Sequence, residues 1–434
     1  MVFHPRQHWP GRRARMDELW GRAMRRREFL RLTGGSALAA VLAACGGNGG
    51  GPTGGGGTET TEVQVGTPDN PITHPITDDN PPIESGLEPE DGPLRIYNWA
   101  DYIWPRVLND FADEYGVEFE LTTFYNLEEA LRKLRTDDVS FDIFFPTAEN
   151  IPKVVAGGIL QPLNHDYLPN LQANIWPRLT DPFYDSGSAY TVPYAVYQTG
   201  IGWRTDMIDT DIESMENPWL AFQDPAHRDI TGLYDDYRET MGVGVYMAGS
   251  TDINTDDRSL IEESKQNLIR AIQDVNVAFT IDGAYIRLPE AQLGLHHAWS
   301  GDLAAAPYYA PRGVDPTALR YLWPPKGPNS ATGGYVSNDA MGIPRNAESP
   351  VLAHHFLNYM LDRDVALKNF SWVLYQPPLV DLDPEQLVAD EYIVDYLQST
   401  LVFEEDFEMG QLPLQLPPSV DADWIRAWAE VQSG

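Results

Sequence analysis

The sequence predicts an α/β protein built as two lobes. Three observations carry that reading. The chain has 434 residues, more than one ordinary core accommodates. Strand-type and helix-type periodicity alternate from residue 94 to residue 157. Residues 191–203 then read as one long extended run, able to cross from one lobe to the other. Aromatic residues make up 11 % of the chain, with 12 Trp and 21 Tyr, which is ample apolar surface for real cores and speaks against global disorder.

The elements follow in order. Leu94 and Ile96 alternate with polar neighbours, a strand signal. Pro105 sits where helices begin; Val107, Leu108, Phe111 and Tyr115 share one face, and Gly116 stops the helix. Val117, Phe119 and Leu121 alternate as a second strand. Asn126 with Glu129 makes a capping box before the stripe Leu127, Ala130, Leu131 and Leu134. The apolar run 141–145, interrupted by Asp142, reads as a buried third strand, and Asn150 and Pro152 open a helix that closes at Gly157. This is βαβαβ. In such open sheets ligands sit beyond the carboxyl ends of the strands, here residues 98–102 and 146–149. Further on, 258–275 and 349–362 read as helices, the latter started by Ser349 and Pro350. Residues 339–344 read as a strand returning to the first lobe, and 421–431 as a terminal helix burying Trp424, Ile425 and Trp428. No internal repeat is present.

Ahead of these elements lies a leader. Arg25, Arg26 and Arg27 precede Glu28, Phe29 and Leu30, and an uncharged stretch from Leu32 ends in Leu42-Ala43-Ala44-Cys45. A basic region, an apolar stretch too short to span a bilayer and small residues before the cut define a secretory signal. The Arg-Arg-x-Phe-Leu order resembles a twin-arginine signal, and Leu-Ala-Ala-Cys resembles a lipobox whose cysteine is lipidated. Residues 1–44 are therefore expected to be removed, with Cys45 as the lipidated first residue. Cys45 is the sole cysteine, so no disulfide forms within the chain. Residues 45–92, rich in Gly, Pro and Thr, read as a flexible tether, with order beginning at Pro93. The expected lobes are 93–197 plus about 322–367, and about 198–321 plus 368–434.

The formal net charge is −34, and loss of the Arg-rich leader leaves about −40. Such a surface repels nucleic acid and anionic lipid and favours solubility. It suits cationic partners or a high-salt setting; bulk charge alone does not set ligand charge.

Six short motifs then stand in order. They are the run Leu94-Arg95-Ile96-Tyr97-Asn98-Trp99-Ala100-Asp101-Tyr102-Ile103, the run from Phe141 to Thr147 with Pro146, Val192-Pro193-Tyr194 with Gly200-Ile201-Gly202, Asp235-Asp236-Tyr237-Arg238-Glu239, Trp299-Ser300-Gly301-Asp302, and the strand from Asp339 to Pro344. In this order and spacing the chain resembles the spermidine/putrescine-binding proteins of bacterial and archaeal ABC importers, over about residues 93–380. The resemblance implies a type II-like periplasmic binding fold with a ligand cleft between the lobes, no enzymatic activity and no cofactor. It implies a small cationic polyamine ligand, a membrane permease with its ATPase subunits as partner, no nucleic acid, a monomer, and membrane contact through the lipid anchor alone. It also implies export to the outer face of the cytoplasmic membrane.

The site it implies suits the chemistry. A polyamine needs carboxylates at the spacing of its ammonium groups, and aromatic faces along the methylenes add about 0.5–2 kcal/mol each of cation–π attraction. By resemblance, Trp99 and Tyr102 form part of the aromatic wall, Asp101 binds an amine and Thr147 makes one hydrogen bond. Asp236 and Glu239 meet the far end, Trp299 stacks on the spacer, Asp302 takes a terminal ammonium, Asp339 holds a nearer amine and Tyr375 lines the mouth. Each has a plainer reading: the tryptophans as core, Asp101 and Thr147 as helix caps, Asp236 and Glu239 as solvated surface, with Arg238 simply pairing with one of them. The chain departs from the family at Ala100, at Glu149 where an aromatic or small residue is usual, and at Ser337, for which Tyr335 could compensate.

Other chemistries fit less well. His296–His297 and His354–His355 are adjacent pairs without metal-ligand spacing, and no metal is expected. Tyr308-Tyr309 resembles the paired tyrosines of ferric-ion binders, which share this fold class, so a ferric or other organic-cation binder is the alternative. A secreted hydrolase with paired carboxylates is a further one, although no nucleophile elbow, phosphate loop or zinc motif is present.

Overall fold

A computed structural model describes residues 65–125, 127–136, 139–329 and 331–433. The leader, Cys45 and Asn126 of the expected capping box lie outside those residues. In chain order the elements are β1 (Leu94–Trp99), α1 (Pro105–Tyr115), β2 (Phe119–Phe124), α2 (Leu127–Leu134), β3 (Ile143–Phe144), α3 (Ile151–Ala156), β4 (Thr191–Arg204), β5 (Thr231–Tyr234) and α4 (Tyr237–Met247). Then come α5 (Arg258–Val275), β6 (Ala278–Thr280), β7 (Leu295–Trp299), α6 (Ser300–Ala305), β8 (Leu319–Leu322), β9 (Tyr335–Gly342), α7 (Pro350–Met360), α8 (Arg363–Val373) and α9 (Pro418–Ser433).

Local chemistry accounts for most boundaries. Pro105 opens α1, Val107, Leu108 and Phe111 are its buried face, and Gly116 ends it in the left-handed region at φ 69°. The third strand covers only Ile143–Phe144 of the apolar run, and it is preceded by Asp142, whose backbone N–H donates to Arg95 O of β1 at 2.7 Å. The buried Asp142 carboxylate accepts Arg95 N at 2.8 Å and, on the other oxygen, Glu348 N at 2.9 Å and Ser349 N at 2.8 Å. It thereby satisfies free donors at the start of α7. The return strand begins at Tyr335, earlier than expected, because β9 pairs with β4 from Tyr335 to Gly342. In α9 the buried residues are Trp424, Ala427, Trp428 and Val431, one helical stripe. Ile425 falls off that stripe and is 48 % exposed, a correction to its expected burial.

The strands form one sheet in the order β2-β1-β3-β9-β4-β7-β5-β6, with β8 also on β4. β1 is parallel to β2 and β3, and β5 is parallel to β6 and β7. The two parallel sets are joined by β4 and β9. β4 is antiparallel to β9 from Thr191 to Thr199 and to β7 from Thr199 to Trp203. Each half has its own core. One gathers Tyr97, Phe124, Leu131, Phe144, Leu160 and Tyr190; the other gathers Trp219, Met241, Tyr246, Leu268, Leu295 and Trp424. These are the two lobes, and the crossing run passes between them at Thr199.

Two expected boundaries move. α8 packs on α1 in the first lobe: Trp372 stacks on Trp104 at 5.5 Å, and Asn369 Oδ1 accepts Trp104 N at 2.9 Å. Residues 376 and 379 likewise bridge to Val196 and Ile175, so a division at 367/368 cuts through first-lobe structure. The second change concerns the tether. Residues 65–92 lie along the first lobe. Ile72 is buried and exchanges backbone hydrogen bonds with Phe183 and Ser186, each 2.8 Å. His74 Nε2 meets Tyr184 O at 2.9 Å, and both oxygens of Glu90 accept backbone N–H groups of α7. Order therefore begins well before Pro93. No helix among the described residues is long and apolar enough to cross a membrane.

Candidate ligand-binding site

Polar and aromatic side chains gather where β1, β3, β5 and β7 end, around the crossing strands. The innermost carboxylate is Asp339 on β9, opposite Ala195 of β4 and bridged to Thr147 just past β3. Its Oδ2 accepts the Tyr102 hydroxyl at 2.7 Å, while Oδ1 is buried without a partner. Burial pushes this carboxyl up to about 7; the Tyr102 hydrogen bond opposes the shift and the nearby Glu149 adds to it. Tyr102 is itself wedged edge-on between Tyr194 at 5.1 Å and Tyr375 at 4.9 Å.

On the second lobe Asp302, in the first turn of α6, has both oxygens occupied. Tyr375 donates to Oδ1 at 2.9 Å and Tyr234 to Oδ2 at 2.8 Å. The Tyr375 ring lies so close to α6 that a Cβ at residue 301 would come within 2.5 Å of it, which is why the Trp-Ser-Gly-Asp element carries Gly301. Trp299 stacks on Tyr234 at 4.0 Å and 19°, and its indole N–H donates to Glu239 Oε1 at 2.9 Å. Thr199, at the crossing point, donates to the same oxygen at 3.3 Å. Glu239 Oε2 is buried and unpartnered, and burial, helped by Asp236, pushes the group up to about 8.

Between these groups lie Glu149 and Tyr197. Glu149 Oε1 accepts from Thr147 Oγ1 at 2.5 Å and from Asn150 Nδ2 at 2.9 Å, leaving Oε2 buried and without a partner. Desolvation raises this carboxyl, and the Arg238 charge opposes the rise. Tyr197, opposite Ser337 in the ladder, is buried in the joint field of Asp339, Glu149 and Glu239. Asp236 caps α4, accepting Glu239 N at 3.0 Å. Arg238 does not serve as the expected simple pair: its guanidinium donates to Asn254 at 2.8 Å and lies over Trp424 at 4.8 Å. The ensemble is a cluster of buried carboxyls and tyrosines where the two lobes meet, suited to holding a cation with an apolar spine.

A family model for the bacterial extracellular solute-binding protein matches residues 106–392. The chain belongs to that family. A spermidine/putrescine-binding periplasmic protein of Salmonella typhimurium is 27% identical over 303 residues, covering 70% of this chain and 81% of that protein. A putrescine-binding periplasmic protein of Escherichia coli is 24% identical over 359 residues, covering 80% of this chain and 93% of its own. In structure, the substrate-binding protein of a spermidine/putrescine ABC transporter from Streptococcus pneumoniae matches with a TM-score of 0.63 and 23% identity over 78% of this chain and 98% of that one, a likeness of fold. The two-lobe architecture is that of periplasmic substrate-binding proteins.

In this solute-binding protein the structure brings together Tyr102, Thr147, Asp236, Glu239, Trp299, Asp302, Asp339 and Tyr375 of the residues expected from sequence. Tyr375 is half-buried, with its hydroxyl held by Asp302. Trp99 is half-buried at the end of β1: its ring packs on Phe124 at 4.6 Å and its N–H donates to Phe145 O, at the end of β3, at 3.2 Å. Asp101 follows the strand end at φ 57°, a left-handed conformation that Asp tolerates. It does not cap α1, whose N-cap residue is Trp104. Tyr335 cannot replace an aromatic beside Asp339, because it is buried in the second-lobe core with its hydroxyl on Arg238 O at 2.6 Å. Tyr309 packs edge-on against Tyr285. His296 and His297 are fully buried beside Tyr234, and burial holds both well below the usual imidazole range. Among the described residues no group of three or more His, Cys, Asp or Glu is arranged to hold a metal.

Sequence reasoning missed Tyr234, Tyr197, Tyr194 and Thr199. Tyr234 was accessible to the same rule that selected residues 98–102, since it ends β5. The other three sit inside the long crossing strand: pairing with β9 and β7 reveals the side of Tyr197 and Thr199, and Tyr194 stands at the register shift between Pro193 and Ala195, where its ring meets Tyr102.

Proposed function

We propose that the protein captures a linear polyamine between its lobes and hands it to a membrane permease powered by an ATPase, leaving the ligand chemically unchanged. The observation that carries this reading is the pair Asp339 and Glu239. Each is buried, each is gripped through one oxygen, and each offers the other oxygen unpartnered. An unpartnered buried carboxylate oxygen is costly in an empty cleft. An ammonium group meets it with a charge-assisted hydrogen bond, and Tyr102, Tyr375, Trp299 and Tyr234 line the space between with aromatic surface suited to methylenes. The amine ligands named for the relatives from Salmonella typhimurium and Escherichia coli support the same class. Closure of the lobes about β4 and β9 would exclude water and strengthen each charge contact. Asp101, at the end of β1, would join the site as the lobes close, whereas Trp99 would support the wall from behind.

Export and lipidation at Cys45 complete the proposal: the binder would be held at the outer face of the membrane by an acyl chain. Incorporation of labelled fatty acid into the wild type, lost in Cys45→Ser, is the expected result, and equal labelling of both would remove the anchor from the model. The ligand class is tested by thermal unfolding of the full chain with putrescine, spermidine or spermine. An amine that binds only the folded state at 100 times its dissociation constant adds about 2.7 kcal/mol of stability. The expected result is a clear rise in melting temperature for at least one amine, absent in Asp339→Ala and Trp299→Ala. No rise with any amine at saturation would leave the fold standing and sink the polyamine assignment.

A further inference from the structure

Glu149 repeats the pattern of Asp339 and Glu239 from the first lobe. Its Oε1 is gripped by Thr147 and Asn150, and its Oε2 is buried and open. The short turn that carries it is fixed to the same place as Asp339, because Thr147 bridges directly to Asp339 in the backbone ladder. Tyr197 senses all three carboxylates together. Two further acids gathered there are committed elsewhere: Asp302 has a tyrosine hydroxyl on each oxygen, and Asp236 caps α4. One resident cation, Arg238, donates through one nitrogen to Asn254 and lies over Trp424, leaves Nε and Nη1 buried without a partner, and places its charge within reach of Glu149. Three open oxygens therefore come from the first lobe, the crossing strand and the second lobe. A diamine can answer two of them.

Resting on the polyamine reading above, we infer that Glu149 is a specificity-determining residue that gives the site a third anionic contact and directs it to amines with three or more ammonium groups over diamines. Leaving Glu149 buried and unanswered in a diamine complex costs affinity, while a third ammonium both pairs the charge and fills its open oxygen. The third contact is a charge-assisted hydrogen bond out of water, of a strength that corresponds to about tenfold or more in affinity. Glutamine at this position keeps the shape and the acceptor for Thr147 while removing the charge.

The test is calorimetric titration of the full chain with putrescine, spermidine and N-acetylspermidine, in the wild type and in Glu149→Gln. The wild type is expected to bind spermidine more tightly than putrescine. Glu149→Gln is expected to lower the ratio of spermidine to putrescine affinity by about tenfold or more, with putrescine unchanged or tighter. N-acetylspermidine, which has one ammonium replaced by an uncharged amide, is expected to fall to the putrescine level on the wild type and to be insensitive to the substitution. The wild-type half of that arm requires no variant to fold. Wild-type preference for putrescine, or an equal change for both amines in Glu149→Gln, overturns the role of Glu149 and leaves the amine reading intact. Binding of no amine by the wild type overturns the amine reading and this inference with it.

Discussion

Burial of Asp339 and Glu239 sets how the empty protein responds to pH. Their carboxyls are pushed up to about 7 and about 8, chiefly by desolvation, against about 4 in an unfolded chain. The folded state therefore holds protons that the unfolded state has released. The resulting stability is fully present below about pH 4 and is lost as pH rises through 7 and 8, at about 1.4 kcal/mol per pH unit for each group across its window. Asp339→Asn removes one such group without changing its shape. The variant is expected to melt higher than the wild type at pH 8 when empty, and to show no melting rise with spermidine; a lower melting point at pH 8 would refute the desolvation account. The same linkage acts on binding. An ammonium of pKa about 10 remains charged at pH 8 and favours the ionised carboxylates, so affinity is expected to rise from pH 6 to pH 8 and binding to release protons. Titrations in buffers of different ionisation enthalpy count those protons, and uptake rather than release would contradict the assignment.

Helix α6 and helix α4 place these groups by close approach, and glycine marks both contacts. A Cβ on residue 301 would meet Tyr375 ring carbons at 2.5 Å, so Gly301→Ala is expected to push Tyr375 off Asp302 and weaken amine binding by about tenfold, the loss of one hydrogen-bonded wall. A Cβ on residue 242 would meet the Tyr335 hydroxyl at 1.7 Å within the second-lobe core. Gly242→Ala is therefore expected to lower unfolding stability by about 1–3 kcal/mol, the usual range for overpacking. Denaturant titration and ligand titration of the two variants separate the effects, and a binding loss without a stability loss in Gly242→Ala would reverse the assignment. The elements themselves were legible where one chemical signal sufficed: Pro105 and Gly116 bracket α1. Alternation located the first strands but not their burial, since β1 buries Ile96, Tyr97 and Asn98 in a row and Leu121 of β2 is exposed. Ile425 was misread because α9 buries the stripe through Trp424 and Trp428, and residue 425 lies about 100° from it. The part played by Asp142 was invisible because its carboxylate serves the start of α7, which lies some two hundred residues along the chain. Tyr197 and Thr199 point to the cleft through their register against β9 and β7, and register is a tertiary property that periodicity does not carry.

At the scale of the molecule, β4 and β9 join two separately packed lobes, and residues 65–92 are hydrogen-bonded along the first lobe. Composition suggested a free tether up to residue 92, since Pro, Thr and Asp without apolar period describe a linker. What fixes residues 65–92 is mostly backbone hydrogen bonding and single anchors, which composition does not register. Ile72 fills a first-lobe site, His74 meets Tyr184 O, and Glu90 satisfies two N–H groups at the start of α7. Tyr190 and Asn164, both of the first lobe, donate in turn to Pro75 O and Ile83 O at 2.8 and 2.9 Å. A membrane anchor upstream of Val65 would then hold the first lobe and leave the second lobe to swing on β4 and β9. A chain that starts at Val65 is expected to melt with the full-length protein. A chain that starts at Pro93 loses the burial of Ile72, worth about 1.5–3 kcal/mol, together with the partners of α7. For lobes of this size each kcal/mol moves the melting point by about 2–4 °C, so thermal unfolding is expected to place the Pro93 chain several degrees lower. Equal melting of the two truncations would return residues 65–92 to the role of a free tether and release the first lobe from its place as the fixed half.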